Sequence, residues 1–483
     1  MTKNVSIGFC KLATIAFLAL FAGCAVGPNY KRPEATTIPP SYASSTEGWK
    51  IAQPEGQLPK GNWWEIFGDA ELNHLEIQSI GANQQLKVAV AQFAESRAQL
   101  NIARAEFFPT VDFAGSGVRQ RISPNQPDVL SGTPIGKSST YNNFIAPFEL
   151  GYEVDLWGRV RRSVESARAQ TQASEDDMEG VKLSIQTEVA EDYFSLRTLD
   201  EQTEVIYSNI YVFRKALQLT TNLRSGGAVS DLDVAEAEAV LKTTEAELPS
   251  VALQRAQYQH ALAVLVGQAA ATFRIQQSAL PNVIPLIPAG LPSELLERRP
   301  DISAAERRMA AANANIGVAT AAFYPVVQFN GFAGFQSVSL NTLVDGPSHI
   351  WAVGPTITLP IFEGGRNRAG LELAKSTYDE LVAYYRLTVL TAFSEVADNL
   401  EAQTLLADQY AAQNDALSAA LKELDVANNQ YLDGLTTFLN VATAESTALN
   451  SQFITVQLRG QQFSYAVGLV KALGGGWQES KQP

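Results

Sequence analysis

The chain has 483 residues, of which 46% are apolar and 18% charged, and its formal charge is −14. That length holds two or three ordinary domains or one elongated one. The acidic balance excludes a nucleic-acid partner, which needs a basic surface, and the scattered His74, His260 and His349 have no second ligand at metal spacing, so no metal centre is expected.

Residues 1–23 read as a signal peptide. Lys3 and Lys11 precede an apolar core at 12–22, too short for a membrane span of about 20 residues. Its removal takes Lys3 and Lys11 away, so the charge goes from −14 to −16, and it takes Cys10, which leaves Cys24 alone without an internal disulfide. A lone cysteine directly after such a core resembles a bacterial lipoprotein site, with Phe21 where leucine is usual. A covalent lipid on Cys24 is therefore expected, and no other cofactor. In such lipoproteins an aspartate after the cysteine favours inner-membrane retention; Ala25 stands there, which favours sorting to the outer membrane. Residues 24–60 are proline-rich and read as a lipidated tether. No second spanning apolar run follows, so any crossing of a membrane falls to strands.

From Gly61 the pattern changes. Trp63, Trp64 and Phe67 precede an amphipathic helical run over 70–107. A weak strand signal follows at 110–120, then a Pro/Gly/Ser-rich loop from 121, then a strand over 143–156. There Phe144, Phe148, Leu150, Tyr152 and Val154 share one face, and Glu149, Glu153 and Asp155 the other. Residues 159–224 lack proline and read as one helix of about 65 residues, roughly 100 Å long. Gly226 and Gly227 stop it, and a return helix covers 230–267.

The chain then repeats itself. "ARAEFFPTVDFAG" at 103–115 is answered by "ATAAFYPVVQFNG" at 319–331, an offset of 216. Later pairs, among them Gly158/Gly365, Arg159/Arg366, Gly227/Gly434 and Gly267/Gly474, match at 207, so the first copy carries nine extra residues between 121 and 147. The domains are thus a first repeat at 61–270, a linker at 271–292, a second repeat at 293–474 and a tail at 475–483. The second repeat has a helix over 293–323, strands over 327–335 and 350–361, a long helix over 366–432 and a return helix over 437–473. In each repeat the two shorter helices sum to roughly the length of the long one, which predicts that they stack end to end beside it. A narrow stripe of Met178, Val181, Ile185 and Val189 fits rods packed as in coiled coils.

Strands of 9–12 residues with one apolar and one polar face match transmembrane barrel staves. Four staves cannot close alone, since single-chain barrels start at eight and an eight-stranded barrel is filled by its own side chains. A conducting pore needs about three copies. The repeated aromatic–proline phrase then marks where a helix hands over to a membrane strand.

The motifs "CAVGPNYKRP" (24–33), "WWEIFGDAELNHL" (63–75), "YEVDLWGRVRR" (152–162), "RRPDISAAERRMAAANANIGVATAAFYP" (298–325), "LPIFEGGRNRA" (359–369) and "ALGGGW" (472–477) resemble the outer-membrane efflux proteins of Gram-negative bacteria, in their lipoprotein branch. The resemblance implies an α+β membrane protein: a homotrimer whose twelve-stranded β-barrel, four strands per chain, continues into a periplasmic α-helical tunnel. It implies a periplasmic adaptor, an inner-membrane transporter and outer-membrane lipids as partners, and passive conduction of drugs or other toxic solutes without enzymatic activity. Gly226, Gly227, Ala228, Asp433, Gly434 and Leu435 match the adaptor-facing helix tips. Asp233 and Tyr431 match an entrance tie between an acid and a tyrosine; helix capping is the plain alternative for Asp233. Asn440 and Thr443 stand where some relatives carry acidic rings, which puts a cation-binding gate in doubt. Glu149, Glu153 and Asp155 are candidates for lining the lumen. A type I protein-secretion duct and a soluble periplasmic coiled-coil scaffold remain as alternatives.

Overall fold

The computed structural model describes residues 25–33, 61–127, 134, 136–285, 287 and 298–475. The signal peptide, Cys24, the tether from 34 to 60, part of the linker and the tail from 476 lie outside the described residues. The helices are α1 (Ala70–Ala82), α2 (Gln84–Ala105), α3 (Arg159–Ser225), α4 (Asp231–Leu265), α5 (Pro300–Ala321), α6 (Arg366–Leu432) and α7 (Phe438–Ala472). The strands are β1 (Thr110–Phe113), β2 (Ser116–Ile122), β3 (Ser139–Glu153), β4 (Val326–Ser337) and β5 (His349–Thr358). No described helix is long and apolar enough to cross a membrane. The chain divides into two compact units: Met1–Pro33 with Ala94–Ala173 and Glu306–Ala383, and Glu34–Phe93 with Ser174–Ala305 and Tyr384–Pro483.

The first unit holds one antiparallel sheet in the order β1/β2–β3–β4–β5. β1 and β2 share a single register on β3, with Phe113 opposite Phe148 and Ser116 opposite Ile145. They are one stave interrupted at Ala114 and Gly115, so the sheet has the four staves expected. The interruption has a cause across the ladder. Pro147 has no N–H to give, and only its carbonyl accepts there, from Ala114 N at 3.1 Å. β3 starts at Ser139, inside the stretch expected to be loop, and stops at Glu153 rather than 156, because Asp155 turns to serve the next helix.

Alternation sorts the sheet into two faces. Val111, Phe113, Phe148, Leu150, Tyr152, Phe329, Trp351, Val353 and Ile357 fall on one; Asp112, Glu149, Glu153, Gln328, Asn330 and Thr356 fall on the other. Phe332, which breaks the sequence pattern, lies on the polar face opposite Glu149 and Ala352. Residues 25–33 are not a free tether, a correction to the sequence reading. Val26 N donates to Trp157 O at 2.9 Å. Arg162 donates to Asn29 Oδ1 at 2.8 Å, Asn313 to Pro28 O at 3.1 Å and the Tyr30 hydroxyl to Glu306 at 3.2 Å.

In the second unit the expected helix over 70–107 is broken. Asn83 leaves helical geometry (ψ 128°), and its Oδ1 accepts from Leu86 N at 3.0 Å, which ends α1 and starts α2. The same side chain donates from Nδ2 to Leu265 O, the last carbonyl of α4, at 2.8 Å. The second repeat makes the equivalent joint with Arg299, 216 residues on: its guanidinium donates to Ala472 O at the end of α7 at 3.0 Å and pairs with Asp301 and Glu395. Each return helix therefore ends against the start of its outgoing helix, which is the end-to-end stacking the lengths predict.

The core of this unit explains the tryptophan motif. Trp63, Trp64, Phe67, Leu72, Leu75, Tyr193, Phe194 and Phe463 are buried together, with Phe194 stacked on Phe463 at 4.6 Å. Asp69 caps α1 and accepts the Tyr193 hydroxyl at 2.6 Å. Glu76 is fully buried, neither of its carboxyl oxygens has a hydrogen-bond partner among the described residues, and desolvation pushes its pKa up to about 9. The described part of the linker is also core: Phe273, Ile275 and Leu280 are buried. Arg255 and Arg197 flank Asp200 at 2.5 and 3.0 Å and donate to Ile275 O and Gln276 O, fixing that segment to α3.

Candidate functional site: the helix tips and the polar face of the sheet

Both tips of the second unit are built alike at the backbone. α3 closes with Gly227 at φ +75°, Gly227 N donating to Arg224 O at 2.9 Å and Ala228 N to Leu223 O at 2.9 Å. α6 closes with Gly434 at φ +71°, Gly434 N donating to Tyr431 O at 3.1 Å and Leu435 N to Gln430 O at 2.8 Å. These are helix-ending turns that need a left-handed residue. Gly226, Gly227, Ala228, Asp433, Gly434 and Leu435 are all exposed, as a docking edge requires.

The side chains differ. In the first tip Arg224 grips Asp231 in a two-pronged pair at 2.6 and 3.0 Å, a contact absent from the sequence reading. Ser230 and Asp233 form a reciprocal capping box: Ser230 N donates to Asp233 Oδ2 at 2.8 Å, and Ser230 Oγ accepts from Asp233 N at 3.4 Å. In the second tip Thr437 makes no side-chain cap, and Asn440, in the place of Asp233, bonds Thr436 instead. The first tip supplies what is missing. Asp233 Oδ1 accepts from Phe438 N, the first residue of α7, at 3.4 Å. One carboxylate therefore serves the starts of both return helices, and these hydrogen bonds, led by that of the Ser230 hydroxyl, hold its pKa below the usual aspartate value. The S-x-x-D spacing was the legible signal; the reach to Phe438 was not.

Tyr431 joins the same cluster but not the acid. Its ring meets Phe438 edge-on at 5.3 Å among Ala237, Ala427 and Val441. Its hydroxyl is buried beside Thr220, and burial, with the Asp233 and Glu236 carboxylates near, raises its pKa against the opposing effect of the Thr220 hydroxyl. Thr443 is exposed, its hydroxyl returned to Leu439 O at 2.8 Å. On the same helix Glu445 is buried without a partner among the described residues, and desolvation pushes it up to about 7.

In the first unit the three acids proposed for the lumen separate. Glu153 is held by Arg159 at 2.7 and 2.9 Å. Asp155 accepts from the backbone of Val160 and Arg161 and from the Arg161 side chain, starting α3. Glu149 remains exposed on the polar face, opposite Asp112. No group of acids, histidines and cysteines able to hold a metal ion occurs among the described residues.

A sheet of lipid-length staves with one apolar and one polar face, in a chain whose long helices end in exposed glycine turns, fits an outer-membrane channel. The chain belongs to the outer membrane efflux protein family, which matches residues 78–268 and 291–475, once in each repeat. It is 35% identical over 472 residues to outer membrane protein OprJ of Pseudomonas aeruginosa, covering 96% of this chain and 95% of that one. It is 32% identical over 486 residues to the probable efflux pump outer membrane protein TtgC of Pseudomonas putida, covering 99% and 97%. Among solved structures the CmeC outer membrane channel of Campylobacter jejuni superposes with a TM-score of 0.87 at 28% identity, covering 95% of this chain and 96% of that one. The chain is an outer-membrane efflux channel with a large periplasmic part, and its work is passage rather than covalent chemistry.

Proposed function

We propose that three copies of this chain form the outer-membrane exit duct of a tripartite pump that expels drugs or other small toxic solutes. The observation that carries this reading is the sheet. It has four staves, open edges on both sides, an apolar face for lipid and a polar face for a water-filled lumen. Conduction is passive, and the energy comes from an inner-membrane transporter joined through a periplasmic adaptor that docks at the exposed tips around Gly227 and Gly434. Glu149 and Asp112 bias the lumen toward cationic solutes. Lipid on Cys24 fits the docking of Val26 on Trp157, which keeps the anchor within a few residues of the strand-to-helix handover. The test is deletion of the gene, exposure to a panel of toxic compounds, and complementation with wild type and Cys24→Ala. Sensitivity on deletion, with resistance restored by the wild-type chain, is the expected outcome; an unchanged panel removes the export reading.

A further inference from the structure

Along the apolar face of the sheet the strands leave two full charges, both positive. Arg119 lies opposite Asn142 and Arg121 opposite Thr140, on the side shared by Phe113, Phe144 and Phe148. Phe144 settles the side: a Cβ added to Gly117, its ladder partner, would meet that ring at 2.9 Å. The acids of the five strands, Asp112, Glu149 and Glu153, all fall on the other face. Both arginines are exposed. Arg121 donates to Ser138 Oγ at 3.1 Å, and neither guanidinium has an ion-pair partner among the described residues.

The fold itself does not require cations there. First staves correspond at an offset of 216 and second staves at 207, so Arg119 opposite Asn142 becomes Phe335 opposite His349, and both pairs are present. In the second hairpin the two rings meet edge-on at 6.0 Å. That ladder ends with this pair, whereas the first runs on through Arg121–Thr140 to Ile122–Ser139. The taller first hairpin thus carries a second arginine, with Lys137 exposed in the turn between its staves.

We infer that Arg119 and Arg121 hold the phosphate of an outer-leaflet lipid, whose acyl chains lie along Phe144, Phe148 and Phe113. The inference rests on the proposed reading of this face as lipid-facing and names what its outer rim binds. Depth supports it. The helices join the staves at the Thr110 end, so the hairpin turn lies at the outer end. Arg119 stands nine residues beyond Thr110. At about 3.3 Å per residue that is about 30 Å along the strand, and a tilt of about 35–45° makes it about 21–25 Å of height, the depth of an apolar band. A cation on the lipid side is costly at mid-depth and nearly free at the interface. Guanidinium forks match phosphate oxygens, and Asn142 and Thr140 add polar donors in the same rows. A free phosphate ion offers the same oxygens but nothing to cover the aromatic row beneath, so the lipid is the occupant.

The experiment uses the full chain in non-ionic detergent and fluorescent lipid A carrying both phosphates. Circular dichroism first checks that each variant is folded. Arg119→Gln with Arg121→Gln should bind the lipid about tenfold more weakly than wild type, or worse. Lys87→Gln with Arg104→Gln, which removes the same charge from α2, should bind it as wild type does. Lipid A stripped of its phosphates should bind the wild type as weakly as the intact lipid binds the arginine variant, and inorganic phosphate at equal concentration should not compete. Unchanged binding in the arginine variant, equal weakening in the α2 variant or tight binding of the stripped lipid overturns the site and leaves the exit duct standing. Competition by inorganic phosphate overturns the lipid as occupant. Trp351, 68% exposed on the same face, tests the underlying reading in membranes of brominated lipid. Trp351→Phe should lower the quenchable share of the fluorescence; no decrease overturns the lipid-facing sheet itself.

Discussion

Glu445 sits on the buried stripe of α7 with Val441 and Leu449, yet neither carboxyl oxygen has a partner among the described residues. Its neutral form is favoured only in the fold, where its pKa rises from 4.5 to about 7. The stability attached to that form is complete below about 4.5 and is lost as pH rises to about 7. Glu445→Gln should therefore raise unfolding stability at pH 8, by on the order of 3 kcal/mol, and by much less at pH 5. Equal gains at both pH values would show that desolvation is not the cause. Asp233 carries the opposite sign, since its bonds favour the charged form. Asp233→Ala removes the capping box and the bond to Phe438, a loss of about 1–2 kcal/mol at the tips. Amide exchange at 231–240 and 438–445 should quicken, and single-channel conductance should rise. Tyr431→Phe should change conductance little, because no hydrogen bond joins its hydroxyl to Asp233 among the described residues; a rise matching that of Asp233→Ala would mean the tie forms between copies. At this scale sequence located Asp233 and Tyr431 but not their partners, because a hydrogen bond spanning 205 positions, as from Asp233 to Phe438, leaves no local spacing to read.

The long helices were legible almost to the residue, 159–224 and 366–432 against Arg159–Ser225 and Arg366–Leu432, because proline-free runs ending in glycine say where a helix can and cannot continue. The break at Asn83 was missed: asparagine there both ends one helix and begins the next, and the apolar pattern runs through it. The first stave was the weakest strand signal because glycines at 115 and 117 occupy its apolar face. Glycines at the helix joints allow a sharper comparison. Gly267 and Gly474 have φ +69° and +84°, and a Cβ would lie 2.6 Å from Ala82 O and 2.8 Å from Arg298 O. Gly434 has φ +71° but open space around it. Gly474→Ala should then lower the melting temperature clearly more than Gly434→Ala, whose cost is limited to backbone strain of about 1–2 kcal/mol. Similar losses would mean the joint can spread to admit a methyl group.

For the whole molecule, the duplication was readable because two fixed offsets organise residues, and the same offsets reappear in strand pairing and in the Asn83 and Arg299 joints. What stayed hidden was chain without periodicity: residues 25–33 and the stretch from Phe273 to Leu280 looked like tether and linker, yet polar side chains from distant helices hold both in place. The unequal tips have a consequence for anything that grips this channel. Six half-length chains, each bearing a single hairpin, would satisfy the same pairing rules, but every tip would then carry one sequence. Fusing the halves freed alternate tips to diverge, one clamped by Arg224 and Asp231, the other showing Leu435 beside a start that Thr437 does not cap and Asp233 of the first tip does. A partner that reads one kind binds three to a ring; one that tolerates both binds six.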